Sequence, residues 1–302
     1  MSGDSYDVIV IGSGITGLTA TKHLMQSGGG LAIANIEAET FGGLVLNVNE
    51  LDGKIQGSGV DLASGLMMEA ADLGAAMLSE SVSTVTESAG KWTLATSEGH
   101  HHARAIIVAS GATLRKLGLP GEDKFEHRGV SRCADCDGPM YQGKDIVVVG
   151  GGDSALQEAH VLSRFCRQVY LINRTKGFAA KPHLVEAIEG CDNVTVRHLT
   201  EVNEILGNDA VEKVKIRHLM ENAESEIACS GFFGFIGLKP SSNFVPSSVS
   251  RDVDGFLITE SSLKAAQGLF VAGAVRSGYG GMLEHAIEEG LAAANEAIRA
   301  VR

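Results

Sequence analysis

The chain has 302 residues, 44% of them hydrophobic and 21% charged, a globular balance that accommodates two domains and excludes general disorder. Its formal net charge of −12 comes without a long basic run, so no nucleic-acid partner is expected. The start, Met1-Ser2-Gly3-Asp4, lacks a basic stretch followed by an apolar one, and runs such as residues 8–11 and 105–109 are too short to span a bilayer. The expectation is a soluble cytoplasmic protein with no membrane partner.

The first element is the run Asp7-Val8-Ile9-Val10-Ile11, read as a buried parallel strand. It leads into Gly12-Ser13-Gly14-Ile15-Thr16-Gly17 and a helical pattern over 18–26. Gly12, Gly14 and Gly17 permit a tight turn and let N–H groups at a helix start face a pyrophosphate. A second apolar run, 31–36, ends in Glu37. That residue stands about 20 positions past the glycines, where an acid bonds ribose hydroxyls. Glu39 is the lesser candidate at the same edge. Residues 81–86 and 92–96 pattern as a β-hairpin inserted into the first domain. His100-His101-His102 reads as an exposed turn, since no further metal-ligand spacing surrounds it. A strand at 104–109 then runs into Ser110-Gly111 and returns the chain to the first nucleotide site.

The opening motif recurs as Asp145-Ile146-Val147-Val148-Val149-Gly150-Gly151-Gly152-Asp153-Ser154-Ala155, followed by a helical pattern over 156–165. One such glycine motif is weak evidence, with an empty strand-to-helix turn as its alternative; two in the same setting are strong. The next strand, 168–172, ends in Asn173-Arg174-Thr175-Lys176, where cations stand in place of an acid. Two readings remain there: a 2′-phosphate site on Arg174 and Lys176, preferring NADPH to NADH, and a solvated basic turn. A β-meander follows over 201–206, 211–218 and 226–229. A strand at 268–275 and a helix from Met282 to 301 return the chain to its first domain. The expected fold class is α/β, with two Rossmann-like, three-layer nucleotide-binding domains, the second inserted into the first. The first comprises 1–115 and 241–302, the second 116–240.

Of five cysteines, only Cys133 and Cys136 are close in sequence, as Cys133-Ala134-Asp135-Cys136. A pair at this spacing can close a small-ring disulfide, and one thiolate can be activated. Asp137 is placed to move a proton as the dithiol forms. Zinc would need two more ligands that the sequence does not offer, so no metal is expected. Two inert core cysteines are the other alternative. Nucleotide sites with such a pair imply a relay from nicotinamide to flavin to disulfide.

The order of these motifs resembles the low-molecular-weight thioredoxin reductases over nearly the whole chain. Ser131-Arg132-Cys133-Ala134-Asp135-Cys136-Asp137-Gly138 is similar to that family's SYCATCDG, and Phe235-Ile236-Gly237-Leu238-Lys239-Pro240 to its IG-x-x-P segment. The larger pyridine-nucleotide-disulfide reductases carry their cysteines early in the first domain, where residues 41–47 here have none. The resemblance implies FAD on Gly12, Gly14, Gly17, Glu37, Gly42, Gly43, Ser110, Gly111, Gly273, Ala274 and Met282. It implies a pyridine nucleotide on Gly150, Gly152, Asp153, Ser154, Ala155, Arg174 and Lys176. By the same resemblance Cys136 faces the flavin, Cys133 attacks the substrate disulfide and Asp137 is the general acid–base. The resemblance further implies that the two domains rotate, that the molecule is a homodimer, and that the partner is a thioredoxin-like protein or a small-molecule disulfide or dithiol.

The departures fall on the cofactor sites. The family's AGDV aspartate is Ala274, its following Arg-Gln pair is Gly281-Met282, and its GGQL turn is Gly42-Gly43-Leu44. Its HRR-x-x-x-R phosphate site keeps Arg174 but has Asn173, Thr175 and Ala179. Glu284 and His285 are either polar contacts to a flavin or ordinary helix-surface residues. Arg132, in place of Tyr, has two equal readings: a contact to an acidic partner or a carboxylate-bearing substrate, and a solvated side chain. Three functions are therefore carried forward: an NAD(P)H-dependent reductase of a thioredoxin-like carrier, a flavoenzyme of the same fold that does not use NADPH, and a non-catalytic flavin-binding or redox-sensing module.

Overall fold

The computed structural model describes residues 4–48, 51 and 55–302, so the opening Met1-Ser2-Gly3 lies outside the described residues. The first copy of the motif folds as β1 (Asp4–Ile11), a glycine turn, α1 (Ile15–Ser27) and β2 (Ile33–Glu37). Next come α2 (Gly59–Asp72), β3 (Ala76–Ser79), the hairpin β4 (Val82–Ser88) and β5 (Lys91–Thr96), then β6 (His100–Val108) and β7 (Ala112–Leu114). The middle of the chain holds β8 (Val130–Ser131), α3 (Ala134–Asp137), β9 (Asp145–Val149), α4 (Asp153–Ser163), β10 (Gln168–Ile172), α5 (Pro182–Glu189) and β11 (Val194–Arg197). It continues with β12 (Thr200–Leu206), β13 (Lys213–His218), β14 (Glu224–Ala228), β15 (Gly231–Gly234) and β16 (Leu238–Pro240). The chain ends in β17 (Lys264–Ala266), β18 (Leu269–Val271) and α6 (Leu283–Val301).

These elements form two compact units, one running to Thr113 and resuming from Lys239 to Arg302, the other Leu114–Leu238. In the first, the sheet order is β17-β18-β6-β1-β2-β3, with β18, β6, β1, β2 and β3 parallel. Strand alternation sends Val8 and Val10 to one face, where they pack with Ala20, Leu24, Ala293, Ala294 and Ala297 of α1 and α6. Ile9 and Ile11 go to the other, with Trp92 and Leu94 of the hairpin and Val245. Both faces are covered, which is why β1 reads as an unbroken apolar run. The small residues of α6 permit its close approach to α1: a Cβ on Gly290 would lie 2.6 Å from the Thr16 carbonyl oxygen.

The second unit has an all-parallel sheet, order β11-β10-β9-β15-β8. Ile146 and Val148 pack under Leu156, Ala159 and Leu162 of α4. Val147 and Val149 face the antiparallel meander β12-β13-β14 through Val202, Val214 and Ile216.

The acid that opens each copy ties strand to strand. Asp7 accepts from the Ala32 N–H at 3.0 Å and from Arg104 at 2.9 Å. Asp145 accepts both arms of the Arg167 guanidinium, at 2.7 and 2.8 Å. The histidine run departs from the sequence reading of an exposed turn. It opens β6, and His101 is buried with Nε2 2.8 Å from Glu80 Oε2. Pairing of β5 with β6 over Trp92–Ala103 to Ala95–His100 explains this, because it extends the strand to the hairpin turn. Among the described residues no helix is long and apolar enough to cross a membrane.

Candidate functional site

The first glycine turn is shaped by close approach. Gly12 has φ +103°, and a Cβ there would overlap the Ala109 carbonyl; one on Gly17 would overlap the Gly12 carbonyl. Gly14, the N-cap of α1, is different: the nearest atom to an added Cβ is Gly42 O at 3.9 Å. The turn is therefore closed at its ends and open in the middle. Glu37, at the end of β2, accepts the Ser13 N–H at 2.8 Å through Oε2 and the Ala38 N–H at 2.9 Å through Oε1. The Gly42 N–H donates to Ser13 O at 2.7 Å, and an added Cβ on Gly43 would stand 3.3 Å from Gly14 Cα. Glu37, Gly42 and Gly43 thus meet the turn itself. Glu39 is exposed and reaches it only by donating its own N–H to Glu37.

Sequence reasoning missed the support beneath this turn. Asn35, fully buried in β2, accepts from Ser13 Oγ and donates to Gly12 O at 3.3 Å and Thr21 Oγ1 at 2.8 Å. A buried amide with its hydrogen bonds met fixes loop geometry, whereas an unmet one would cost stability. The remaining residues assigned to this site lie in the same unit. Ser110 Oγ donates to Ser241 O at 2.6 Å, so its proton serves the returning chain. Gly111 has φ +67°, and its carbonyl accepts the Ser241 N–H. Gly273, at φ +76°, would place a Cβ 2.5 Å from Thr16 Oγ1, and its N–H donates to Glu289 at 2.7 Å. Glu289 also pairs with Arg276, and neither residue was expected from the sequence. Ala274 is half-buried and Met282, the N-cap of α6, is half-exposed. Glu284 is exposed, while His285 has its Nδ1 buried against Gly280.

The second glycine turn repeats the pattern. Gly150 has φ +149°, and an added Cβ would lie 2.6 Å from the Ala155 Cβ; one on Gly152 would meet nothing within 4 Å. Asp153 accepts the Lys181 N–H at 2.8 Å, and Ser154 is exposed. At the end of β10, Asn173 is buried, donating to Gly177 O at 2.9 Å and accepting from Thr175 Oγ1 at 3.0 Å. The Arg174 side chain is 73% exposed, with Nε 4.0 Å from Glu201 Oε2; Lys176 is exposed too.

The cysteine pair lies in this second unit. Cys133 and Cys136 form a disulfide with Cα atoms 5.3 Å apart. Cys133 caps α3: its Sγ accepts the Cys136 N–H at 3.2 Å, and its carbonyl accepts the Asp137 N–H at 3.2 Å. Asp137 therefore belongs to the same turn. Its charge reaches Tyr141, whose hydroxyl is pushed up first by burial and then by Asp137. Glu158 of α4, another residue not singled out in the sequence, accepts the Ala134 N–H at 2.8 Å. Arg132 corrects the sequence reading. Its guanidinium is held by Glu126 at 2.8 Å and faces Glu122 at 3.9 Å, so it is already paired within its own unit.

Two glycine turns at strand ends and a closed disulfide in the second unit mark a disulfide oxidoreductase, and residues 6–298 match the model of the pyridine nucleotide-disulphide oxidoreductase family, to which the chain belongs. More particularly, it is a thioredoxin-reductase-like disulfide oxidoreductase, an enzyme acting on sulfur. It is 32% identical to the thioredoxin reductase of Treponema pallidum, over 90% of this chain and 89% of that one. It is 35% identical to that of Mycolicibacterium smegmatis, over 89% and 88%. The crystal structure of Lactococcus lactis thioredoxin reductase superposes with a TM-score of 0.89 at 29% identity, covering 98% of this chain and 99% of that one.

Proposed function

We propose that the chain passes electrons from NAD(P)H through FAD to the Cys133–Cys136 disulfide, and from the dithiol to a thioredoxin-like protein or a small-molecule disulfide. The observation that carries this reading is the closed disulfide on the turn that feeds the second glycine motif, in a chain whose relatives are named thioredoxin reductases. The glycine turns fit dinucleotides. An added Cβ would find space at Gly14 and Gly152 but not at Gly12, Gly17 or Gly150, which fits a pyrophosphate approaching the two helix starts. FAD would lie in the first unit, with Glu37 toward its ribose, and the pyridine nucleotide in the second. When bound, FAD supplies the two-electron step between nicotinamide and disulfide.

Opening the Cys133–Cys136 bond takes up two electrons and one proton, leaving Cys133 as a thiolate and Cys136 as a thiol; Asp137 carries that proton and takes it back as Cys136 attacks. The Cys133 thiolate then attacks a substrate sulfur, forming a mixed disulfide and releasing one substrate thiolate. Cys136 attacks the Cys133 sulfur, which restores the pair and releases the second thiolate. A cytoplasmic homodimer is the setting this reading assigns.

A second reading, a flavoenzyme fed by another donor or by a dithiol, is favoured by the sparse cations at the end of β10. Arg174 and Lys176 are exposed, and Asn173 is engaged within the unit. Anaerobic titration with NADPH, NADH and dithionite separates the two. Bleaching of the flavin by either nicotinamide is expected; bleaching by dithionite alone sinks the first reading.

A further inference from the structure

The redox turn is short, and three of its amides are held from within. The Cys133 N–H donates to Ser131 Oγ at 3.2 Å, the Cys136 N–H to Cys133 Sγ and the Asp137 N–H to Cys133 O. The Ala134 N–H differs from these three, because its acceptor comes from another element. Ala134 is fully buried, and Glu158 Oε2 stands 2.8 Å from its nitrogen. A buried N–H deprived of its acceptor is costly enough to reopen a turn held by so few bonds. Glu158 lies on α4, the helix whose first turn carries Asp153, Ser154 and Ala155. One rigid element thus presents the second glycine turn at its start and grips the redox turn along its side.

We propose that Glu158 is a positioning residue for the redox pair, its carboxylate holding the Ala134 amide and thereby fixing the Cys133 half of the turn against α4. The inference rests on the reading of Cys133–Cys136 as the redox centre. The carboxylate has two separable effects. As an acceptor it holds geometry; as a negative charge it adds to that of Asp137 in opposing a thiolate on reduced Cys133. Glu158→Gln keeps an oxygen acceptor and removes the charge. Glu158→Leu removes both.

The test uses the full-length holoenzyme, wild type, E158Q and E158L, reduced anaerobically. Alkylation of Cys133 is followed by mass spectrometry from about pH 5 to about pH 9, beside turnover of a disulfide substrate. In E158Q the profile moves to lower pH, with alkylation roughly threefold faster near neutrality, and turnover is retained. In E158L turnover falls roughly tenfold or more. A Cys133 profile in E158Q that overlays the wild type overturns the proposal, as does wild-type turnover in E158L. If reduction of the wild type yields no new thiols at 133 and 136, the redox reading itself fails, a result distinguishable from failure of the Glu158 assignment.

Discussion

Thiol chemistry needs access as well as sulfur, and two of the three free cysteines fail on that ground. Burial, followed by the Asp145 charge, pushes the Cys229 thiol up to about 12 and the Cys166 thiol up to about 11. Neither can supply a thiolate near neutral pH. Cys136 is exposed and Cys133 half-buried, joined in a turn with Asp137. The expected result of Cys136→Ser follows from this division. The variant retains flavin reduction by the electron donor but loses disulfide turnover by roughly three orders of magnitude or more. Stopped-flow flavin spectra and steady-state turnover on one preparation check both halves, and residual turnover within tenfold of wild type would assign the chemistry elsewhere. The pair was legible in the sequence because its spacing is local. Arg132 was misread for the opposite reason: Glu126 and Glu122, which hold it, approach only once the loop before β8 folds.

At the level of elements, the repeat was the clearest sequence signal. Apolar runs ending in glycine turns gave β1, β9 and the helices after them within a few residues of their bounds. Helix α2 was hidden by its opening Ser58-Gly59 and by a capping box that uses Asp61 rather than Glu. Asn35 was invisible because it is a single polar residue inside an apolar run, and Glu158 because it stands among other polar residues of its helix, Gln157 and His160; the meaning of each comes from what lies opposite. The glycine turns yield a sharp expectation. At Gly17 the helix start packs directly on the Gly12 carbonyl, so no side-chain movement relieves an added methyl. Gly17→Ala should cost about 1–3 kcal/mol and should be purified with little flavin, whereas Gly14→Ala should fold normally. The flavin-to-protein absorbance ratio and the thermal midpoint measure these effects, and a fully loaded G17A protein would contradict the assignment of this turn to FAD.

At the scale of the whole molecule, the same device recurs in each unit: the acid that opens each copy of the repeat is held by residues in or beside a neighbouring strand. Asp7 is held below the usual carboxylate range by the Ala32 N–H first, with Arg104 adding to it despite the cost of burial. Asp145 is lowered chiefly by its two hydrogen bonds from Arg167. A depressed carboxylate contributes stability that is fully present above its unfolded value, about 3.9 for aspartate. That contribution is lost as pH falls through the folded value. Thermal midpoints should therefore be level near neutrality and drop below about pH 4. Because many of the 37 acidic residues protonate in that range, the wild-type curve alone does not identify the cause. Asp7→Asn and Asp145→Asn do, since asparagine resembles a protonated aspartate. Each variant should be less stable than wild type at neutral pH, and the difference should close as the pH falls and the wild-type acid loses its charge. A gap that stays constant down to the acid limb would mean that Asp7 and Asp145 contribute by shape or backbone turn alone, and that charge at the head of each repeat has no part in holding the strands together.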